Sequence, residues 1–294
     1  MLAAILALSS SFLIGITTIL MKKVIERTNP TSAMLFITLV GSIIFLLISF
    51  FTVPFSYLKS EALFYFVIAG IFSPALVRLL YFISLDRIGP SVSSSVFATG
   101  PAFTAIIAIV LLNEKITLQI AIGIITIIGG IVLFERDMNK GDDAGSGSRN
   151  SKDLIFPLLS ALFFSFAVVT RKMGLNILDS PIFGVTVGFV TSMVAYSIVC
   201  LGSKKLRSSI SIKKQDLPIL GGAGVFLTAA WLTLFFSLSY GDAVIVTPLA
   251  NLHPLFVLVL SYFFLGKVEK ITKGILTGVC VVVAGVLLIT TGQA

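Results

Sequence analysis

Arg78, about fifteen residues into the apolar run at residues 63 to 85, is the only charge deep inside any of the apolar runs long enough to span a membrane. Even the lower scales put about 2.5 to 3.5 kcal/mol on a charge at the bilayer centre, so this guanidinium is expected to face a bundle interior or a water-filled cavity. Its planar fork suits two-pronged binding of a carboxylate or phosphate. The competing role is structural: a tie to helix-end carbonyls, or an Arg reaching for the interface. Shifting the chain against itself by 153 residues lays Trp231, the one tryptophan, on Arg78. A cation and a large aromatic facing one cavity would suit an amphipathic organic acid or an amino acid. Interfacial anchoring is the other use of tryptophan, less apt for a residue some thirteen positions into its span.

Gly100-Pro101 and His253-Pro254 form a second matched pair. A proline inside a helix removes one backbone bond and frees the carbonyl four residues back, which a membrane tolerates only where protein or water satisfies it. The carbonyls concerned are those of Phe97 and Ala250. Broken helices lining a substrate site would bring Asn251 and His253 to it as polar contacts, with Ser94 and Ser95 opposite and His253 able to titrate. The alternative is a packing kink with a satisfied histidine. His253 is the only histidine, which excludes HExxH-type and multi-histidine metal sites. With no Walker A sequence to cradle a nucleotide phosphate, neither an enzyme, a cofactor, a metal centre nor an ATP-driven pump is expected.

The elements that position these residues follow from composition. The chain has 294 residues, 57% hydrophobic and 12% charged, with a mean hydropathy of +1.09; ordinary soluble domains are about 25% charged. An all-α integral membrane protein is predicted. Ten spans are drawn by hydropathy at 2 to 21, 31 to 51, 63 to 85, 91 to 112, 116 to 134, 154 to 170, 181 to 201, 218 to 240, 243 to 266 and 274 to 291. The net charge of +8 sits between spans, where it orients helices rather than binding nucleic acid. Cys200 and Cys280 fall inside spans and read as small buried hydrophobes. The apolar start has no basic n-region and reads as a retained first helix.

Between the fifth and sixth spans, residues 135 to 153 are polar and Gly/Ser-rich, a flexible linker. It separates a first unit, residues 1 to 134, from a second, residues 154 to 294. The 153-residue shift lays residues 80 to 113 on 233 to 266 without a gap, so that Phe82, Ser84, Pro101 and Phe103 meet Phe235, Ser237, Pro254 and Phe256. After a two-residue insertion Glu114-Lys115-Ile116-Thr117 meets Glu269-Lys270-Ile271-Thr272, and Gly123 and Gly130 meet Gly278 and Gly285. With five spans in each unit, the second must enter the membrane inverted, giving two inverted five-helix repeats suited to alternating access.

At this point the stretch from residue 75 to 117 resembles the repeat of the drug/metabolite transporter superfamily, specifically the EamA-like transporter domain. The residues that carry the likeness are Leu85-Asp86-Arg87-Ile88-Gly89 at a helix end, the mid-helix Pro101, and Asn113-Glu114-Lys115 closing the next span. It covers the whole chain as two tandem domains. The departure is Gly266-Lys267-Val268-Glu269, which sets the second Glu two residues later. The resemblance implies export of amino acids or related metabolites. The first span has no carboxylate, unlike the small multidrug resistance relatives that exchange protons for cations through a glutamate there.

Loops after odd-numbered spans hold sixteen basic residues and those after even-numbered spans four, Lys59, Lys115, Arg171 and Lys172. The count places both termini outside; relatives of this fold are usually drawn with both inside. Glycines four apart, Gly184 with Gly188 and Gly274 with Gly278, permit close helix packing within the chain or between two copies, so a monomer or homodimer is expected. Glu114 and Glu269 read most simply as solvated end charges. The sequence therefore predicts a secondary transporter of small polar metabolites in the cytoplasmic membrane, with a small-molecule substrate, lipid around it and a proton as candidate coupling ion. The alternatives are uptake or exchange of phosphorylated or nucleotide-linked metabolites, and a lipid flippase component or non-transporting scaffold.

Overall fold

Apolar runs of this length leave their amides and carbonyls no solvent partner in lipid, so the backbone satisfies itself as helix. The computed structural model describes residues 1–25, 27–88, 90–138, 151–202, 211–265 and 273–292, and among these all regular structure is helical. In the first unit α1 is Leu2–Ile25, α2 Pro30–Thr52, α3 Ala62–Gly70, α4 Val77–Ile88, α5 Pro90–Phe97, α6 Gly100–Leu112 and α7 Leu118–Met138. In the second, α8 is Ile155–Ile177, α9 Pro181–Gly202, α10 Leu217–Tyr240, α11 Ala243–Ala250, α12 His253–Leu265 and α13 Lys273–Thr291. Pro30, Pro90 and Pro181 each open a helix, where the missing N–H is no loss.

Among the described residues nine helical stretches are long and apolar enough to cross a membrane, and Leu118–Phe134, at the fifth expected span, is a shorter apolar helix. Large apolar side chains face outward along them, Leu47, Phe50, Ile125 and Leu287 being at least half exposed, while Ser10, Ser84, Ser160 and Ser237 are fully buried. That inside-out pattern fits lipid, since soluble monomers rarely expose large apolar patches. The chain is a multi-pass integral membrane protein. Cys280 lies on the outer surface rather than in the core.

Three boundaries depart from the expected ones. The third span is interrupted: Ile71–Leu76 is wide-turned helix in which Ser73 leaves helical dihedrals (φ −138°, ψ 129°), before Pro74. The sixth does not stop at residue 170 but runs on to Ile177. α7 continues through Met138, four residues into the expected linker, and Ser151–Leu154 is a short 3-10 turn. The rest of the linker, residues 139–150, lies outside the described residues, as do residues 203–210 and the stretch 266–272 with Glu269.

The two units interlock through reciprocal contacts. Ser10 Oγ on α1 donates to the Ala230 carbonyl on α10 (2.7 Å), and Ser160 Oγ on α8 donates to the Val77 carbonyl on α4 (2.8 Å); Val77 and Ala230 are partners at the 153-residue shift. α7 and α13 meet through glycines, Gly123 against the Gly285 carbonyl and Gly130 against the Gly278 carbonyl. Gly184 packs on the Phe66 and Phe235 rings, where an added Cβ would come within 2.7 and 2.9 Å.

Candidate transport site

Pro74 has no N–H to give the Gly70 carbonyl, and the chain turns extended at Ser73, so two carbonyls lose their helical partners in mid-span. Both are recovered from the second unit. Ser192 Oγ on α9 donates to the Gly70 carbonyl (2.7 Å), and Arg171 Nη2 on α8 donates to the Ser73 carbonyl (2.9 Å). Ser192→Ala should leave a buried carbonyl unsatisfied, a cost of about 1 to 3 kcal/mol. The expected outcome is a lowered Tm in detergent, and an unchanged Tm would count against this repair of the break.

One turn past Pro74, Arg78 reaches the same side of the break. It lines a cavity with Met34 and Thr38 from α2, Pro74, and Ser192 and Tyr196 from α9. The space measures about 10 Å³, room for roughly one water molecule. Arg78 Nη1 lies 3.0 Å from the Met34 sulfur, a weak acceptor. Among the described residues no carboxylate pairs with Arg78.

The other residues singled out in the sequence are placed as follows. His253 opens α12 with a buried Nδ1 that has no hydrogen-bond partner, and it stands within electrostatic reach of Arg78. Asn251 is partly buried and, with Leu252, separates α11 from α12, its N–H donating to the Thr247 carbonyl (3.1 Å). At the matched place Ala98 and Thr99 separate α5 from α6, which restarts at Gly100 and Pro101. Pro254 follows His253 in the first turn of α12. The Gly100 carbonyl accepts Ser165 Oγ from α8 (2.8 Å). Ser94 and Ser95 sit partly buried on α5. Of this set only Arg78 lines the small cavity.

Trp231 is in contact with another arginine, Arg171. Its ring lies under the guanidinium of Arg171 (4.7 Å) and edge-on to Phe189 (6.0 Å). The expectation that Arg78 is the only deep charge is therefore corrected: Arg171 and Lys172, taken for loop residues, are inside α8 and buried at 2% and 9% exposure. Arg171 Nη1 is buried without a partner. Lys172 Nζ takes the Leu238 (2.7 Å) and Gly241 (3.0 Å) carbonyls at the end of α10. Their removal from the loops leaves two basic residues after even-numbered spans, which sharpens the loop asymmetry. Glu114 is likewise not a solvated end charge, for both its oxygens accept backbone amides at the start of α11.

A buried cation thus stands beside a broken helix in a bundle of apolar spans, and comparison with known proteins supplies the family. The EamA-like transporter family matches residues 1–136 and 152–291. The chain belongs to the EamA-like transporter family. A relative from Clostridium kluyveri, named an uncharacterized transporter, is 22% identical over 264 residues, covering 88% of this chain and 83% of the relative. A crystal structure of another protein superposes with a TM-score of 0.80 at 14% identity, over 98% of this chain and 96% of that one; at that identity the likeness shows the fold alone.

The transporter's break at Ser73-Pro74 carried a sequence signal, a proline in mid-span. It is the same feature that singled out Pro101 and Pro254. Arg171 and Lys172 also had one, the apolar residues Leu175, Ile177 and Leu178 that continue beyond them. Nothing in the sequence tied Glu114 to residues 243 and 244.

Proposed function

We propose that the transporter exports small polar metabolites bearing a carboxylate, such as amino acids, across the cytoplasmic membrane, as a secondary transporter working by alternating access. The observation that carries this reading is Arg78, a cation in mid-span that faces a cavity with a thioether as its described partner. A buried charge without an opposite charge is costly, and a substrate carboxylate offers two acceptors to its fork. The cavity is too small for a metabolite, so entry requires the surrounding helices to part. The reciprocal pairing of Ser10 with Ala230 and Ser160 with Val77, and of the four glycines on α7 and α13, supports two inverted five-helix repeats, because a twofold axis makes contacts occur in matched pairs.

The test is a stabilisation screen on purified transporter with amino acids, other carboxylates, phosphorylated metabolites and organic amines. A ligand at a hundred times its Kd adds about 2.7 kcal/mol to the folded state. Carboxylates should raise the Tm of the native protein and not that of Arg78→Gln. Stabilisation confined to amines, or equal in both proteins, would overturn the reading, and stabilisation confined to phosphorylated compounds would move the substrate class.

A further inference from the structure

The charged side chains described around the helix break are all cationic. Arg78 lines the small cavity beside Pro74, and Arg171 reaches the same break, with Nη2 on the Ser73 carbonyl and Nη1 buried without a partner among the described residues. Ser192 connects the two, since it lines the cavity with Arg78 and its Oγ also approaches the Ser73 carbonyl (3.4 Å). The sequence holds no acid at this depth: none of the 13 Asp and Glu residues falls within any of the ten hydropathy spans. Asp86, on the same helix as Arg78, stands eight residues beyond it, more than two helical turns away.

A broken helix ordinarily offers a second kind of site for a cation, the carbonyls whose amide partners have gone. Here both are spent, the Gly70 carbonyl on Ser192 Oγ and the Ser73 carbonyl on Arg171 Nη2. What the cavity keeps for a ligand is the Arg78 guanidinium and the hydroxyl-bearing side chains of Thr38 and Tyr196. These groups meet oxygen atoms well, and none of them carries the negative charge that an ammonium would need.

We infer that this site selects carboxylates that carry no ammonium group, namely 2-hydroxy and 2-oxo acids, over the amino acids of the same skeleton. The inference rests on the reading of Arg78 as a carboxylate clamp and narrows its substrate class, placing amino acids second. In an amino acid the ammonium sits on the carbon next to the carboxylate, so it enters the cavity whenever the carboxylate reaches Arg78. There it gives up its water for a space walled by like charge, and a buried cation without an opposite charge is costly. Repulsion between buried charges is also screened far less than in water. A hydroxyl or keto oxygen on the same carbon brings no charge and presents an acceptor to the surrounding donors. The carboxylate is common to both compounds, so the difference between them reports the charge of the cavity alone.

The test compares matched ligands on the native, full-length transporter, purified in detergent at neutral pH. Dissociation constants are measured by titration calorimetry for lactate, pyruvate and alanine, for malate and aspartate, and for phenyllactate and phenylalanine. In every skeleton that binds, the hydroxy or oxo acid should bind at least about tenfold more tightly than the amino acid, the least expected for an ammonium buried without a counter-charge. Arg78→Gln should abolish binding of both members of a pair. An amino acid that binds as tightly as its hydroxy acid, or more tightly, would overturn the selection while leaving the Arg78 clamp in place. Binding by no carboxylate of any skeleton would remove the clamp, and this inference with it. Should Arg78→Gln fail to fold, the ratio within each pair on the native protein still decides.

Discussion

Arg78→Lys is expected to lower substrate affinity about ten- to a hundred-fold while leaving the melting temperature close to that of the native transporter. Lysine keeps the charge but presents a point ammonium in place of a planar fork. A lost bidentate, charge-assisted contact is worth about 1.5 to 3 kcal/mol. The structural counterpart would be an arginine that ties helices together, and the fold holds one for comparison. Arg171 bonds the Ser73 carbonyl and stacks on Trp231 and near Phe235 (5.9 Å), whereas the hydrogen-bond partner of Arg78 among the described residues is the Met34 sulfur. Measured on the same samples, Arg78→Lys and Arg78→Gln should lower affinity far more than Tm, and Arg171→Lys should lower Tm. An unchanged affinity in the Arg78 variants beside a lowered Tm would sink the substrate clamp and leave Arg78 as a second structural arginine.

Different parts of this protein were legible in its sequence for different physical reasons. Lipid forces unbroken apolar runs into helix, so hydropathy alone located α1, α2 and α9 to within a few residues of their ends. Windowed hydropathy fails where a charged pair is buried, and it reads RKMG at 171 to 174 as a loop although both cations donate to carbonyls of other elements inside the bundle. The partner of Trp231 was missed for the same reason, since an arginine assigned to a loop cannot stack on a mid-span ring. Arg78 was legible because a lone charge in a span is improbable without a purpose; its cavity mates Met34, Thr38 and Tyr196 were not, being common residues brought together only by helix packing. Glu114 shows the limit most clearly. Its position beside a lysine at a helix end is that of any solvated charge, and only the fold of the second unit supplies the two amides it accepts.

Gly130→Val is expected to cost much of the folded yield, while Gly129→Val, one residue away, should be silent. A Cβ at residue 130 would lie 2.8 Å from the Val282 amide nitrogen and 3.0 Å from the Gly278 carbonyl oxygen, whereas at Gly129 nothing stands within 4 Å. The obstructing atoms are backbone of α13, so no rotamer change relieves them and the helices must separate. Overpacking in a well-packed core costs about 1 to 3 kcal/mol, and a backbone contact belongs at the upper end. Gly278→Val should behave like Gly130→Val, because its Cβ would meet the Phe134 nitrogen at 2.8 Å and the Gly130 carbonyl at 2.9 Å. Gly123 and Gly285 repeat the arrangement at the other end of the contact, each facing the other's carbonyl at 3.1 and 2.9 Å. Thermal melts of the alanine singles and doubles carry the comparison further: Gly130→Ala with Gly278→Ala should be non-additive, since one separation of α7 from α13 accommodates both, and Gly123→Ala with Gly285→Ala should match it. Equal losses at Gly129 and Gly130 would mean that helix propensity, and not close approach, governs this face. Unequal losses between the two glycine pairs would remove the twofold pairing on which the inverted-repeat reading leans.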